Sequence, residues 1–220
     1  VVISAESGGG ARLRIFTPTA AGFVQTTDFI ALIGSDGVAD TAFRGGARAA
    51  VGDINGDGFG DLIFAAGEGG GPRIAIFNGQ TLTLTGGPKL RGDFFAFEPE
   101  LRNGTYVAAG DFNGDGKADL AAGAGPGGGP RVSIFDGASL LNGQLVKIKD
   151  FFAGDVASRG GIRVAVKDLD NDNKADLVVG PGPGSGTLTA YTATQLALPN
   201  STPLFDFAAF TGFNGGLFVG

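Results

Sequence analysis

The sequence predicts an all-β chain of four repeated units, each a sheet of four antiparallel strands, and three observations predict it. A segment beginning at Gly45, GGARAAVGDINGDGFGDLIFAAGEGGGPRIAIF, recurs as NGTYVAAGDFNGDGKADLAAGAGPGGGPRVSIF from Asn103 and as GGIRVAVKDLDNDNKADLVVGPGPGSGTLTAY from Gly160. The first loop aspartates, Asp53, Asp111 and Asp168, lie 58 and 57 residues apart, so four periods account for nearly all of the 220 residues. Short Val, Ile, Leu and Phe runs alternate with glycine-rich stretches, 42 glycines with no three-residue period, which reads as turns between many short strands.

Each unit reads as four strands. Strand one is Arg48 to Val51, Tyr106 to Ala109 or Arg163 to Val166. An acidic loop leads to strand two, the apolar run Leu62 to Ala65, Leu120 to Ala122 or Leu177 to Val179. A glycine-rich turn leads to strand three, Arg73 to Phe77, Arg131 to Phe135 or Leu188 to Tyr191. Strand four ends in a recurrent aromatic cluster, which appears four times, beginning at Asp28, Asp93, Asp150 and Asp206. Residues 1–16 match strands two and three, and residues 213–220 match strand one, so the two ends hold complementary parts of one unit. A blade shared between them would close a ring and remove the exposed strand edges of an open array. The expectation is therefore a single four-bladed β-propeller domain over 1–220, with units 1–44 plus 212–220, 45–102, 103–159 and 160–211. The alternative is an excerpt of a longer array.

Composition narrows the chemistry. With 43% hydrophobic residues the chain can bury a core, and no apolar run approaches a membrane span. No window combines Lys or Arg with aromatics as a nucleic-acid site would. There is no cysteine and no histidine, which excludes disulfides, thiol chemistry, every histidine-dependent triad and most transition-metal sites.

Three loops carry the remaining chemistry. Oxygen-bearing side chains stand at positions 1, 3, 5 and 9: Asp53, Asn55, Asp57 and Asp61; Asp111, Asn113, Asp115 and Asp119; Asp168, Asp170, Asp172 and Asp176. Calcium takes six to eight hard oxygen ligands, and a tight loop that turns alternate side chains inward supplies them. Phe59, Lys117 and Lys174 at position 7 would offer only a backbone carbonyl, so their side chains vary freely. Gly58, Gly116 and Asn173 at position 6 suit a sharp turn with positive φ. Turn formation alone would explain one such loop, but three in phase crowd carboxylates that repel without a cation. Three Ca²⁺ ions would also bring the net charge of −6 to zero. Magnesium keeps its waters and fits such a cage less well, and an EF-hand would need a Glu at position 12 and flanking helices.

These loops, the first-strand glycine pair and the GGGPRIAIF and GGGPRVSIF segments resemble the FG-GAP, or VCBS, repeats of integrin α-subunit propellers and secreted bacterial proteins. The resemblance covers essentially the whole chain. It implies calcium at the loop positions named above, an extracellular or cell-surface setting, and adhesion or scaffolding through loops on one face. It departs from integrin propellers in having four units rather than seven. The reading is thus a monomeric, non-enzymatic calcium module whose partner is a protein or glycan, with no nucleic acid and no membrane insertion. Two alternatives stand beside it. A lectin would stack sugars on aromatics, for which there is no Trp and only Tyr106 and Tyr191. An isolated or engineered ring would have no partner of its own. A propeller-borne enzyme is disfavoured because nearly all clustered carboxylates are committed to the loops.

Three further features call for a reading. The Phe clusters are expected to pack between blades. Arg12, Arg73 and Arg131 recur at one blade position and either form a cationic ring near the axis or, as preferred, pair with the Asp of a neighbouring blade. Residues 33–44 form an insertion in the first unit, either a partner-contact loop or neutral surface.

Overall fold

The structure is a computed structural model that describes residues 1–34 and 37–220. It is all-β, in four antiparallel meanders. The first comprises β1 (Val2–Ser4), β2 (Arg12–Thr19) and β3 (Gly22–Ile30). The second comprises β4 (Ala47–Gly52), β5 (Asp61–Ala66), β6 (Arg73–Phe77) and β7 (Phe94–Phe95). In the third are β8 (Thr105–Gly110), β9 (Asp119–Ala124) and β10 (Arg131–Phe135), then α1 (Gly137–Leu141) and β11 (Lys147–Phe152). The fourth has β12 (Ile162–Lys167), β13 (Asp176–Pro181), β14 (Thr187–Tyr191), α2 (Ala193–Ala197) and β15 (Phe205–Ala208). Strands one to three of these units fall within two residues of the sequence reading. Residues 213–220, expected to complete the first sheet, are irregular, and that sheet has three strands.

The first strands face one another, β4 beside β8 and β8 beside β12, and β1, a second strand by its place in the repeat, lies beside β4. Close approach is set by small residues. A Cβ on Gly52 would lie 2.7 Å from Ala109 Cβ, and one on Gly110 would lie 2.5 Å from Val166 Cγ1, so any side chain there would push the inner strands apart. One backbone bond repeats at each junction between units. The N–H groups of Gly8, Gly69, Gly127 and Gly184 donate to the carbonyls of Arg44, Arg102, Arg159 and Asn214 at 2.8, 2.6, 2.7 and 2.9 Å. The C-terminal segment thus meets the fourth unit as a first strand meets its predecessor.

Apolar layers fill the spaces between sheets. Leu13, Phe64 and Phe77 lie between the first and second, Ile63, Ile76, Leu120 and Phe135 between the second and third, and Val132, Leu177 and Tyr191 between the third and fourth. The Phe clusters divide by strand alternation. Phe29, Phe94 and Phe151 meet Phe77, Phe135 and Tyr191 of the next unit edge to face at 5.0, 5.8 and 5.2 Å, as expected of blade-to-blade packing. Phe95 and Phe152, one residue on, are 40% and 52% exposed. The fourth cluster departs further: Phe207 and Phe210 are exposed, as is Phe205 just before it.

The recurrent arginines pair, but within their own sheet rather than with a neighbouring blade. Arg12 meets Asp28, Arg73 meets Asp93 and Arg131 meets Asp150, the aspartate that opens each aromatic cluster, because strands three and four are hydrogen-bonded neighbours. Arg131 also reaches Glu98 of the preceding unit at 2.8 Å. Burial pushes the Asp150 carboxyl up, but hydrogen bonds from Arg131, Lys147 and Ser133 outweigh it and hold the group well below the usual carboxylate range. A depressed carboxylate stabilises the fold above its unfolded value near pH 4 and loses that contribution as pH falls further. Asp150→Asn is expected to lower the urea unfolding free energy by about 1–2 kcal/mol at pH 7, with the deficit shrinking below pH 4. An equal deficit at pH 7 and pH 3 would contradict the ion pair.

The insertion is shorter than the sequence suggests. Asp40 accepts from the Ala42 N–H, and Arg44 donates to the Thr41 and Phe43 carbonyls. Asp155 and Arg159 do the same with Ala157, Val156 and Ser158. Residues 40–44 are therefore part of the repeat, and only 33–39 are inserted, of which Ser35 and Asp36 lie outside the described residues.

Candidate metal centres

The acidic loops sit between strands one and two of the last three units, and each is shaped by its own side chains. Asp53 Oδ1 accepts from the Gly56 and Asp57 N–H groups at 2.7 and 3.0 Å, and its Oδ2 from Gly58 at 2.7 Å. Asp111 repeats this with Gly114, Asp115 and Gly116 at 2.6, 3.1 and 2.8 Å, and Asp168 with Asn171 and Asn173 at 2.7 and 3.2 Å. The position-1 carboxylate thereby winds the chain around itself. Positive φ is required at positions 4 and 6, supplied by Gly56, Gly58, Gly114 and Gly116 and, in the third loop, by Asn171 and Asn173 at 60° and 64°. The sequence pointed to position 6; position 4 behaves likewise.

Positions 3 and 5 continue the winding. Asn55 and Asn113 accept from the Asp57 and Asp115 N–H groups, both at 2.9 Å, and Asp170 accepts from Asp172 at 3.2 Å. The position-7 N–H groups of Phe59, Lys117 and Lys174 donate to Asp57, Asp115 and Asp172 at 2.9, 2.9 and 2.8 Å. The Phe59 side chain is half exposed, as a residue contributing only backbone would be.

Position 9 differs. Asp61, Asp119 and Asp176 are completely buried, and each bridges two elements. Oδ2 accepts from the Ile54, Phe112 or Leu169 N–H at 2.9, 2.9 and 2.7 Å, while Oδ1 accepts from Gly79, Gly137 or Ala193, just after strand three, at 2.9, 2.9 and 2.8 Å. Those donors just after strand three begin short helical turns, capped by Asn78, Asp136 and Thr192, that the sequence reading did not contain. Burial raises the Asp61 carboxyl above its ordinary value. Burial, with the charges of Asp115 and Asp136, raises Asp119 to about 6. In the third loop, desolvation and the charges of Asp176, Asp172 and Asp168 raise Asp170.

Among the described residues Asp168, Asp170 and Asp176 form an acidic cluster whose oxygens lie within 4.8 Å of one another. The other loops carry Asn55 and Asn113 where the third has Asp170. Carboxylates this close fit a hard cation: each accepting oxygen keeps a second lone pair after its backbone bond, and the loop is already wound.

Successive loops are also joined. The Asp53 carbonyl accepts from the Ala118 N–H at 2.8 Å, and the Asp111 carbonyl from the Ala175 N–H at 2.7 Å. The side chains of Lys117 and Lys174 lie beside Gly56 and Gly114 of the loop before.

Repeated antiparallel meanders, inner edges facing and an acidic loop in each of three units, define a repeat protein of the propeller-like β class. The FG-GAP-like repeat matches residues 53–122 and 111–179, more than half of the chain, and the chain belongs to that family. It is 40% identical over 142 residues to integrin alpha-8 of Gallus gallus, covering 55% of this chain and 12% of that protein. It is 31% identical over 157 residues to phosphatidylinositol-glycan-specific phospholipase D of Bos taurus, covering 61% and 18%. The chain thus spans less than a fifth of either relative. Among solved structures it is similar to the rhamnogalacturonan lyase YesW, at 15% identity and TM-score 0.46 over 93% of this chain and 44% of that one. A rhamnogalacturonan lyase of Bacillus licheniformis is similar at TM-score 0.48 over 94% and 44%. Likeness at that level bears on neither site nor chemistry.

Proposed function

We propose that this chain is a calcium-stabilised, non-enzymatic interaction module of an extracellular or cell-surface protein, of the adhesion or scaffold type. The observation that carries it is the thrice-repeated acidic loop, best seen where Asp168, Asp170 and Asp176 converge within 4.8 Å. The ligand sets are Asp53, Asn55, Asp57 and Asp61 with the Phe59 carbonyl; Asp111, Asn113, Asp115 and Asp119 with the Lys117 carbonyl; and Asp168, Asp170, Asp172 and Asp176 with the Lys174 carbonyl. Calcium neutralises the loops and ties strand one to strand two, holding a rigid loop face to which a protein or glycan docks. A setting outside the cell follows from the need for calcium well above cytosolic levels, and among the described residues no helix is long and apolar enough to cross a membrane. Neither tyrosine offers a sugar platform, since Tyr106 is covered by Arg48 and Tyr191 is buried. Titration calorimetry of chelator-stripped protein tests the reading. Stoichiometry near three supports it, and no heat at millimolar calcium overturns it.

Four-blade closure belongs to the same reading. The C-terminal segment meets the fourth unit as a first strand does, with the Leu217 N–H on Pro181 O at 2.8 Å. Closure would bring the exposed Phe207 to Phe16 and complete the series of aromatic contacts. In this cysteine-free chain, Phe16→Cys with Phe207→Cys is expected to be joined intramolecularly by a short bis-maleimide, whose span suits residues that meet through their rings. Dimers alone, with no internal crosslink by intact mass and mobility, would favour an open array.

A further inference from the structure

The inner edge of the fold holds two arginines that the sequence reading did not single out and the calcium loops do not use. Arg48 and Arg163 occupy the same place in the first strands of their units, as do Tyr106 and Phe218 in theirs. These four positions converge on one cavity of about 200 Å³, also lined by Ser4, Glu6 and the alanine and valine side chains of the inner strands. The guanidinium of Arg48 lies 4.1 Å from the centre of the Tyr106 ring and that of Arg163 5.0 Å from it; Arg163 is also 4.7 Å from the Phe218 ring. Both cations therefore lie against one aromatic ring.

Their donors are not satisfied. Arg163 is only 8% exposed; its Nη1 makes one long bond, 3.3 Å to Gly160 O, and its Nε has no acceptor among the described residues. Arg48 Nε and Nη1 are likewise buried without an acceptor. Ring faces attract a cation but take no hydrogen bonds in the plane of the guanidinium, where its five donors point. A buried guanidinium with open donors is costly, and two of them around one cavity repel. Glu6, the one acid lining the cavity, is exposed, and its Oε2 accepts from the adjacent Ser7 N–H at 3.3 Å.

The geometry points to an oxyanion site in this cavity, where a carboxylate or tetrahedral oxyanion of small size is held between Arg48 and Arg163. The planar fork of each guanidinium matches paired oxygens. The volume admits an ion with a few waters. The site is independent of the calcium loops and of whether they bind.

The test follows the Nε–H resonances of Arg48 and Arg163 in ¹⁵N-labelled full-length protein. Sodium sulfate and, separately, sodium acetate replace sodium chloride at constant ionic strength, with calcium present. Saturable shifts of both resonances at millimolar anion are expected; response to sulfate alone identifies a tetrahedral ligand, and to acetate alone a carboxylate. Arg163→Gln is expected to abolish saturation, Arg48→Gln to weaken it by about tenfold or more, and Glu6→Gln to tighten it. Arg102→Gln, on the surface, is the control and leaves it unchanged. If Arg163→Gln fails to fold by circular dichroism, Arg48→Gln carries the test alone. The inference is overturned if neither anion gives a saturable shift, or if Arg48→Gln binds as the native protein does.

Discussion

Stripping calcium with a chelator is expected to lower the melting temperature by about 15–30 °C. A ligand that binds only the folded chain adds about 2.7 kcal/mol per site at one hundred times its dissociation constant, and each kcal/mol moves a domain of this size by about 2–4 °C. Three loops together reach the stated range. One carboxylate in each loop, Asp61, Asp119 or Asp170, already has a raised proton affinity, Asp119 to about 6. Differential scanning calorimetry in calcium and in chelator measures the effect directly. Superimposable transitions would mean that the loops are only turns.

The largest effect of a single side chain is expected from Asp119→Ala, a loss of about 3–5 kcal/mol even in chelator. The carboxylate is fully buried and accepts from the Phe112 and Gly137 N–H groups, so truncation strands two buried donors and leaves a void. Asp119→Asn separates charge from hydrogen bonding. One amide oxygen can keep one acceptor role, but the NH₂ group then faces the other donor, so a smaller loss is expected, with loop-two calcium binding gone. The pH response has a definite sign. A carboxyl raised on folding favours the folded state while protonated, so its contribution is present below about pH 4 and lost as pH rises through about 6. Chelator-treated protein should therefore lose stability between pH 4 and pH 7 through this group, a trend that Asp119→Asn removes. Calcium opposes the trend, since it requires the charged form. Urea midpoints across that range, with and without calcium, decide the matter. Identical pH profiles for native and Asp119→Asn protein would rule out Asp119 as the buried titrating group.

Much of this was legible in the sequence because the unit is written three times nearly in full. Alternating oxygen ligands in GDINGDGFGDL, GDFNGDGKADL and KDLDNDNKADL locate the loops, and apolar runs on either side locate strands one and two. The register of strands three and four was not legible. Between Phe77 and Phe94 the chain passes through a turn too short to show helical periodicity, so the partners of Arg73 and Arg131 could not be assigned to their own sheet. The helical turns themselves had only their caps, Asn78-Gly79 and Asp136-Gly137, to announce them. The inner cavity was hidden because its corresponding residues, Arg48, Tyr106, Arg163 and Phe218, differ in type and share only a position. The exposure of Phe207 was not legible because its cluster reads like that of Phe94, which is buried.

The backbone links between loops have a consequence for how calcium is sensed. Asp53 holds Ala118 of the next loop through its carbonyl, and Asp111 holds Ala175, so the residues proposed as position-1 ligands of one ion also anchor the loop proposed to surround the next. Ordering one loop by calcium would then lower the entropic cost of ordering its neighbour, and positive cooperativity in a calcium titration is the expected sign of it. On the function proposed above, such a face would respond to calcium as a threshold: below it all three loops would loosen together, and above it they would set as a unit.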